Sequence, residues 1–455
     1  MPDVIEDLYE NRIYPAMSHP LSDPAVSAVA ARLAGLETAL PSEARVLEIG
    51  CCSGHNLLPL ALRWPRSRFI GIDLSAKSIA TAKAHAAAAG IGNAAFQAVD
   101  LRQFEPDGPF DFIIAHGFFS WVPDEVKQAL LSFCHRHLAP AGIATISFNL
   151  ESGWKPRLPV IHKARAIQAA TGASEMEALA VLADLTESNI PEAAIIADMI
   201  AKGPAILAFD DFGPVNDPWP LDRFARAAGA AGLRWLGESD ASQNLPKNLT
   251  AEALARLQQS AGDALQFQMA ADEGAGRTFR SGLLCRTDAP VAERISTRVV
   301  MDFSIRAGAD EAVDQELLRS VKSFAPSCVP VREIIATLPT RDPADLAWHI
   351  VDGITNGSLL ARIEAVAIDS NPPEYPKLDP FRRVCANEEL PLVDAWHVPC
   401  AFPPGHYQIL QAMNGANSVA ELAALSRQLC PELDFDPWLR HLAGRGIFCA
   451  GQVIS

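Results

Sequence analysis

Three acidic residues, each placed near the end of a short apolar run, are the side chains of this sequence best suited to binding a ligand. Glu48 lies in the run at residues 45–49, and Asp73 and Asp100 follow the next two runs. Acids at the ends of consecutive strands fit a cofactor that offers an ammonium group, a ribose diol and an adenine amine. Taken singly, Glu48 could be a capping residue and Asp100 a surface turn acid, but their common register favours a binding site. NAD fits less well, because its pyrophosphate would leave Glu48 facing negative charge.

A turn of small residues, 50–54, follows the first run and opens a helix. Gly50 and Gly54 lack the Cβ atom that would keep a ligand away from the backbone. The first N–H groups of a helix have no partner within it, so they can bind a polar ligand group. By itself the turn would serve a nucleotide, NAD or S-adenosylmethionine. The predicted cofactor-binding residues are Glu48, Gly50, Cys51, Ser53, Gly54, Asn56, Asp73, Leu74, Asp100, Leu101 and His116.

The pattern Glu48-x-Gly50-x-Cys52-x-Gly54 resembles the E-x-G-x-G-x-G motif of class I S-adenosylmethionine-dependent methyltransferases, with Cys52 in place of the middle glycine. The sequence is also similar to bacterial methyltransferases that carry a methyltransferase regulatory domain, which include lysine methyltransferases of outer-membrane proteins. The segments that carry this resemblance are residues 14–20, 47–59, 113–123, 148–154, 214–218 and 279–285.

The resemblance implies S-adenosyl-L-methionine as the cofactor and direct in-line methyl transfer to a polar acceptor, with a protein lysine nitrogen as the first candidate. Two departures leave the acceptor open: His55 stands where a glycine is usual, and residues 150–152 stand where the family often has a Thr-Tyr-Pro turn. One alternative is N- or O-methylation of a small metabolite or a ribosomally made peptide. Another is a non-catalytic regulatory protein that binds S-adenosylmethionine.

Four residues are candidates for acting on the acceptor. His116 follows the fourth predicted strand, where it could accept a proton or contact the cofactor. Asn149 and Glu151 follow the fifth strand and could orient an amine. Tyr14 belongs to an arm that could fold over the cofactor as a lid. The other members of this arm are Tyr9 and His19.

The alternation of apolar runs with helical stretches up to residue 286 predicts an α/β fold, a Rossmann-like seven-stranded methyltransferase sheet with helical insertions. Arg277 and Arg280 flank the start of the last strand and could meet an acidic substrate, although a solvated edge is expected. The predicted strands are residues 45–49, 68–72, 94–99, 110–115, 143–148, 233–237 and 278–285. The predicted divisions are an arm with the first helix (1–40), a cofactor-binding core (41–154), a helical insertion (155–215), a regulatory segment completing the sheet (216–287) and a C-terminal domain (288–455).

The C-terminal region is predicted to be mostly helical and winged-helix-like. Segments 331–365 and 408–451 each show helices, a glycine turn and an apolar strand. Winged helices often bind DNA, but these carry few basic residues and the formal net charge is −16, so no nucleic acid partner is expected. A peptide-binding or dimerising role is favoured, and a homodimer stays open.

The remaining features concern compartment, metal and membrane. The nine cysteines are scattered without a C-x-x-C pair, which favours a reducing cytoplasm over a disulfide framework. Methyl transfer from a sulfonium needs no metal, and His135-x-His137 lacks a third ligand, so no metal site is predicted. No apolar stretch reaches membrane-spanning length, so no membrane partner is expected. The expected partner is a protein, peptide or small-molecule methyl acceptor.

Overall fold

Seven strands form one sheet, as the sequence predicted. Their order in the sheet is β3-β2-β1-β4-β5-β7-β6. The structure is a computed structural model that describes residues 14–293, 296–309 and 312–448, so Tyr9 lies outside it. Strands β1 to β5 are parallel, and β7 runs antiparallel to both of its neighbours. The strands are β1 (Arg45–Ile49), β2 (Arg68–Asp73), β3 (Ala94–Ala98), β4 (Phe110–Ala115), β5 (Leu138–Asn149), β6 (Leu233–Glu238) and β7 (Phe279–Arg286).

The central strands β1, β4 and β5 are largely buried on both faces, which explains why they consist of nearly continuous apolar runs. In β1, Val46 packs into one hydrophobic cluster and Leu47 into another on the opposite face. Ser75 caps its helix by accepting a hydrogen bond from the N–H of Ser78 at 3.1 Å. The helices of this region outside the predicted insertion are Pro24–Leu33, Leu57–Arg63, Ala76–Ala88, Asp124–His137, Glu151–Trp154, Leu221–Ala230, Ala251–Ser260 and Ala264–Ala275.

The segment predicted as a helical insertion consists of four helices with a small core of their own. Trp154, which follows β5 and lies just before this segment, is buried in that core together with Leu179 and Met199. The core therefore lies close to the end of β5, beside the carboxyl edge of the sheet. The four helices are Arg157–Thr171, Glu175–Asp184, Pro191–Ala201 and Pro204–Asp210.

The expectation of a solvated edge at the start of β7 was wrong. Arg280 is fully buried, and its guanidinium donates to Asp272 at 2.8 and 2.9 Å and to Glu238 at 2.6 Å. Glu238 also binds Arg277 at 3.2 Å. Buried charges are tolerated only when they are paired and hydrogen-bonded, so this cluster is structural and is not a receptor for an acidic substrate.

The described part of the C-terminal region is mostly helical, with a three-stranded antiparallel sheet and a short hairpin. The glycine turn predicted in its first repeat is present, since Gly357 (φ 84°) ends one helix and leads into β10. The apolar strand predicted at the end of segment 408–451 is wrong for residues 447–448, which form a turn. The rest of that predicted strand lies outside the described residues. The strands are β8 (Ser304–Ala307), β9 (Val329–Pro330), β10 (Leu359–Arg362), β11 (Leu392–Val393) and β12 (Pro399–Cys400). The helices are Gln315–Lys322, Val331–Ala336, Pro343–Asn356, Pro380–Asn387, Pro404–Ala412, Val419–Leu429 and Phe435–Gly444.

The C-terminal region packs against the seven-stranded sheet through one shared hydrophobic cluster, which includes Val46 and Ile350. Buried polar contacts cross the same boundary. Asp23, at the start of the first helix, accepts hydrogen bonds from Arg63 at 3.0 Å and from Arg362 of the C-terminal region at 2.8 Å. Among the described residues, no helix has the length and apolar character needed to cross a membrane.

Candidate functional site

A cavity of about 700 Å³ opens at the carboxyl edge of the sheet. It lies where the strand order reverses between β1 and β4, the position at which open α/β sheets bind ligands. Its volume falls within the usual range of small-molecule sites, about 300 to 1,000 Å³. One end is lined by residues that follow β1 to β3, and we call this the cofactor end. The other is lined by the N-terminal arm, the loops after β4 and β5, and the insertion, and we call this the acceptor end.

The small-residue turn after β1 forms the floor of the cofactor end. Gly50 and Gly54 adopt left-handed backbone conformations, with φ of 75° and 74°. Cys52, which replaces the middle glycine of the motif, also has a positive φ of 46°. A left-handed conformation costs a residue with a Cβ about 1–2 kcal/mol. The N–H of Cys52 donates to Asp73 Oδ2 at 2.9 Å, and this hydrogen bond helps to hold the turn in place.

The glycines of this turn are required by neighbouring protein atoms as well as by any ligand. A Cβ on Gly50 would lie 2.9 Å from the ring of Phe118, and one on Gly54 would lie 2.9 Å from the ring of Phe96. Gly54 does not line the cavity, although the sequence suggested that its missing side chain makes room for a ligand. Its role in the structure is close packing of the turn against β3.

Glu48 is buried at the cofactor end with one oxygen unsatisfied. Its Oε1 accepts a hydrogen bond from Asn56 Nδ2 at 2.7 Å, whereas Oε2 has no partner in the described structure. Burial raises the pKa of Glu48 to about 8, and the nearby charge of Asp73 acts in the same direction. A buried carboxylate with a free oxygen is suited to receive a cationic group such as an ammonium.

Asp73 and Asp100 differ in the hydrogen bonds that their carboxylates already accept from the protein. Asp73 accepts the N–H groups of Cys52 and Ser75, both at 2.9 Å, so it also stabilises the turn. Asp100 binds the guanidinium of Arg102, which lies 3.0 Å from both carboxylate oxygens, and this hydrogen bond lowers the pKa of Asp100. Both line the cavity, as do Cys51, Ser53, Asn56, Leu74 and Leu101.

A stacked pair of histidines lies between the two ends. The rings of His19 and His116 have centroids 4.0 Å apart, and the ring of Phe279 lies 5.6 Å from that of His116. Burial lowers the pKa of His19 to about 4 and holds that of His116 well below its usual value, so both rings are neutral. His116 Nδ1 is buried without a hydrogen-bond partner among the described residues. His116 can therefore accept a proton or a hydrogen bond, but it does not carry positive charge into the site.

The acceptor end combines several charged side chains, among them the carboxylate of Asp210, with aromatic walls. Tyr14 donates a long hydrogen bond of 3.5 Å to Asp210, and its ring meets that of Phe209 edge-on at 5.3 Å. Burial raises the pKa of Asp210 to about 6, so it is ionised at neutral pH. Trp121 and Trp154 form a second edge-on pair, with ring centroids 6.2 Å apart. This end can bind a cation with an apolar stem.

The structure brings most of the predicted acceptor residues together, with one exception. Tyr14, His116 and Asn149 line the cavity, and Asn149 is held by a hydrogen bond to Asn216 at 3.1 Å. Glu151 does not line it. Its half-exposed side chain forms a surface ion pair with Lys155, one helical turn away, with 3.4 Å between Glu151 Oε1 and Lys155 Nζ.

Two functional candidates were missed by the sequence reading. Asp210 lies in the insertion, and no recognisable motif surrounds it in the sequence. His397 lies in the C-terminal region and hydrogen-bonds Asn56 across 341 positions of sequence. No local pattern points to either residue, because each is defined by a contact between segments that are distant in sequence.

Comparison with known proteins agrees with this geometry. Residues 46–142 match the family model of a methyltransferase domain. The chain carries a class I S-adenosylmethionine-dependent methyltransferase domain. Residues 203–286 match the model of a predicted methyltransferase regulatory domain, which here contributes β6 and β7 to the same sheet as the methyltransferase domain. The resemblance found in the sequence is thereby confirmed.

Individual relatives extend the comparison. The chain is similar to the structure of PKMT2 from Rickettsia typhi in complex with AdoHcy, with a TM-score of 0.80, 19% identity, and coverage of 95% of this chain and 99% of that one. The uncharacterized protein RP789 of Rickettsia prowazekii is 26% identical over 65% of this chain and 56% of its own length. A trans-aconitate 2-methyltransferase of Azoarcus sp. is 33% identical over 24% of this chain and 40% of its own length. The chain thus spans little more than half of the first of these curated relatives.

The residues at the cofactor end fit S-adenosylmethionine, the cofactor used by methyltransferases of this family. The buried, unpartnered Oε2 of Glu48 matches an ammonium group, and the backbone turn lets an adenosyl group approach closely. Asp73 is placed for the ribose hydroxyls. Asp100 fits the adenine amine less well, because Arg102 already occupies its carboxylate.

Proposed function

We propose that this chain transfers the methyl group of S-adenosylmethionine to the side-chain nitrogen of a protein lysine. The observation that carries the proposal is the composition of the acceptor end: the ionised carboxylate of Asp210 lies beside aromatic walls, in the same cavity as the carboxylates of the cofactor end. A lysine side chain has a matching form, with an apolar stem and a cationic tip.

Positioning would come from this chain's own residues. Asp210 would accept a hydrogen bond from the incoming ammonium, and the rings of Trp121 and Phe209 would pack against its stem. When bound, S-adenosylmethionine would supply an electrophilic methyl group on a sulfonium. The amine must lose a proton before it can attack, because its unperturbed pKa of about 10.4 keeps it cationic at neutral pH. Removal from water beside aromatic rings lowers the amine's pKa, and the neutral His116 is available to accept a hydrogen bond from it.

The name of the Rickettsia typhi protein also supports a lysine acceptor, since PKMT suggests a protein lysine methyltransferase. That likeness covers 95% of this chain. The chain would then act as a methyltransferase on a polypeptide that presents a lysine at the mouth of the cavity.

Methylation of a small carboxylic acid is the second candidate, suggested by the trans-aconitate 2-methyltransferases. That similarity covers only a quarter of the chain and leaves most of the acceptor end without a counterpart. Asp198, Asp210 and Glu125 line that end together with Arg157 and Lys202. Arg157 pairs with Asp198, and Lys202 pairs with Asp211 at 2.7 Å, so an anionic acceptor would be repelled by Asp210. Charge therefore favours the amine.

The test is transfer of labelled methyl groups from S-adenosylmethionine to lysine-containing proteins and to small carboxylic acids, followed by hydrolysis and separation of methylated amino acids. We expect label in methyl-lysine. Label confined to methyl esters would favour the second candidate. Absence of label in every fraction, with cofactor binding intact, would contradict both and favour a regulatory protein.

The substitution Asp210→Asn tests the role of the acceptor carboxylate. It should raise the KM for the acceptor about ten- to a hundredfold, because a hydrogen bond to a charged group contributes about 1.5–3 kcal/mol. The affinity for the cofactor should not change. Asp222→Asn is the matched control, because Asp222 pairs with the exposed Arg226 one helical turn away and does not line the cavity. Equal KM values for the two variants would remove Asp210 from the proposed site.

A further inference from the structure

The C-terminal region reaches the cofactor end of the cavity through His397. Nε2 of His397 lies 2.8 Å from Oδ1 of Asn56, and both residues are buried. Asn56 lines the cavity and binds Glu48, whereas His397 is not among the lining residues. Any effect of His397 on a ligand would therefore be transmitted through Asn56.

Asn56 uses its whole hydrogen-bonding capacity in this arrangement. Its Oδ1 accepts from the backbone N–H of His19 at 2.8 Å as well as from His397. Its Nδ2 donates to Ser22 Oγ at 3.0 Å and to Glu48 Oε1 at 2.7 Å. If the amide were rotated, its N–H groups would face the fixed N–H of His19, so the orientation is determined. His397 must then carry its proton on Nε2 and donate.

The loop that carries His397 is held by several contacts of its own. Asp394 Oδ1 accepts the N–H groups of Trp396 and Val398, both at 2.8 Å, and Asp394 Oδ2 binds Arg445 at 2.6 Å. The loop connects β11 to β12. Within it, His397 adopts a left-handed conformation with φ of 64°, which is uncommon for a residue that has a Cβ. Such a residue persists where the surrounding structure fixes it, and this is common at functional sites.

Further contacts seat this loop against the sheet. Arg63, in the helix that follows the small-residue turn, donates to the carbonyl oxygen of Ala395 at 2.9 Å and to Asp23 at 3.0 Å. His55, next to Asn56, lies 2.8 Å from the carbonyl oxygen of Pro391. The position of His397 is thus fixed both by its loop and by the helix that carries Asn56.

We infer that His397 is a positioning residue for the cofactor's amino-acid end: it fixes Asn56, which fixes Glu48 with its free oxygen directed to the ammonium group. The inference rests on the proposed function, because it assumes S-adenosylmethionine at the cofactor end. It makes the C-terminal region part of the cofactor site. Burial keeps His397 neutral by lowering its pKa to about 3, in agreement with a single proton on Nε2.

Calorimetric binding of two ligands tests this inference. S-adenosylhomocysteine has the amino-acid end, and methylthioadenosine lacks it while sharing the adenosine and the thioether. His397→Ala should weaken S-adenosylhomocysteine binding about three- to tenfold, the effect of losing one neutral hydrogen bond, and leave methylthioadenosine binding unchanged. His397→Gln should restore much of the loss, because its amide nitrogen reaches nearly as far as Nε2. Both variants carry a Cβ at the same left-handed position, so backbone strain is similar.

His85→Ala is the matched control. His85 contacts Glu388 of the C-terminal region at 2.9 Å and is not among the residues that line the cavity, so its loss weakens the same boundary without removing a hydrogen bond of Asn56. His397→Asn is a second variant that suits the left-handed conformation but is too short to reach Asn56, and it serves if His397→Ala does not fold.

The inference is overturned if the His397 variants bind S-adenosylhomocysteine as the unchanged protein does. It is also overturned if both ligands weaken equally or if His85→Ala gives the same pattern, because a general structural defect would then explain the loss. If the unchanged protein binds neither ligand, the proposed function itself fails.

Discussion

The two ends of the cavity are built in different ways. At the cofactor end, the ligand-facing groups come from a short span, between Glu48 and Arg102, and much of the surface is backbone in a fixed turn. At the acceptor end, the groups are side chains from segments as far apart as Tyr14 and Phe279. The cofactor end is thus organised by the sheet, and the acceptor end depends on how separate segments pack.

This difference indicates which end of the cavity can change the ligand that it binds. An altered insertion could replace Asp210 or Phe209 without moving the turn after β1, because the insertion has a separate small core. The cofactor end lacks this freedom, since its turn is hydrogen-bonded to β2 through Gly50 and Asp73. One fold could in this way keep one cofactor and accept different methyl acceptors.

The largest effect is expected from Asp73→Ala. The change removes the acceptor for the ribose hydroxyls and two backbone hydrogen bonds, one from Cys52 in the turn and one from Ser75, so S-adenosylhomocysteine should bind at least about a hundredfold more weakly. The free energy of unfolding should fall by about 2 kcal/mol. Calorimetry and denaturant unfolding measure the two quantities. Cofactor binding of unchanged strength would remove Asp73 from the site.

A smaller effect, different at the two ends, is expected from pH. The raised pKa of Glu48, about 8, means that its proton must leave before a cation binds, so cofactor affinity should rise about tenfold per pH unit between pH 6 and 7.5. Asp210 has a pKa of about 6, so the acceptor KM should rise only as pH falls through 6. Affinity and KM profiles over this range distinguish the two ends.

Glu48→Gln provides the control for the pH experiment. It keeps the hydrogen bond from Asn56 but cannot ionise, so its cofactor affinity should be weak and independent of pH over the same range. A slope that persists in Glu48→Gln would show that another group titrates, and it would contradict the assignment to Glu48.

The smallest effect is expected from Cys52→Gly. Glycine removes the cost of the left-handed conformation, about 1–2 kcal/mol, but it also gains about 0.5–1 kcal/mol of conformational entropy in the unfolded chain. The free energy of unfolding should therefore rise by no more than about 1.5 kcal/mol, with cofactor affinity nearly unchanged. Thermal denaturation measures the difference. A marked loss of cofactor affinity would mean that the Cys52 side chain itself contributes to the site.

The sheet and the cofactor end could be predicted from the sequence because their signals are local. Each parallel strand is a continuous apolar run, and Glu48 and Asp73 follow from their position relative to those runs. The positive φ of Cys52 also follows from its place in the glycine motif. Such features depend on a few neighbouring residues, which a sequence displays directly.

The other features depend on contacts between distant segments. Glu151 follows β5 as closely as Asn149 does, yet the helix that begins there turns its side chain toward Lys155 and away from the cavity. Arg280 is a charged residue near the start of a strand, which suggests exposure to solvent. Its hydrogen bonds to Glu238 and Asp272 make its burial tolerable. Asp210 and His397 carry no motif at all.

The hydrophobic cluster shared by the sheet and the C-terminal region bears on how the chain can be divided. A fragment that ends after β7 would expose the apolar faces that Ile350 and its neighbours cover, and the complementary fragment would expose the matching surface. The two pieces would aggregate when made separately and would recover solubility when produced together. In this molecule the end of the family match at residue 286 is therefore not a boundary between two independently folding units.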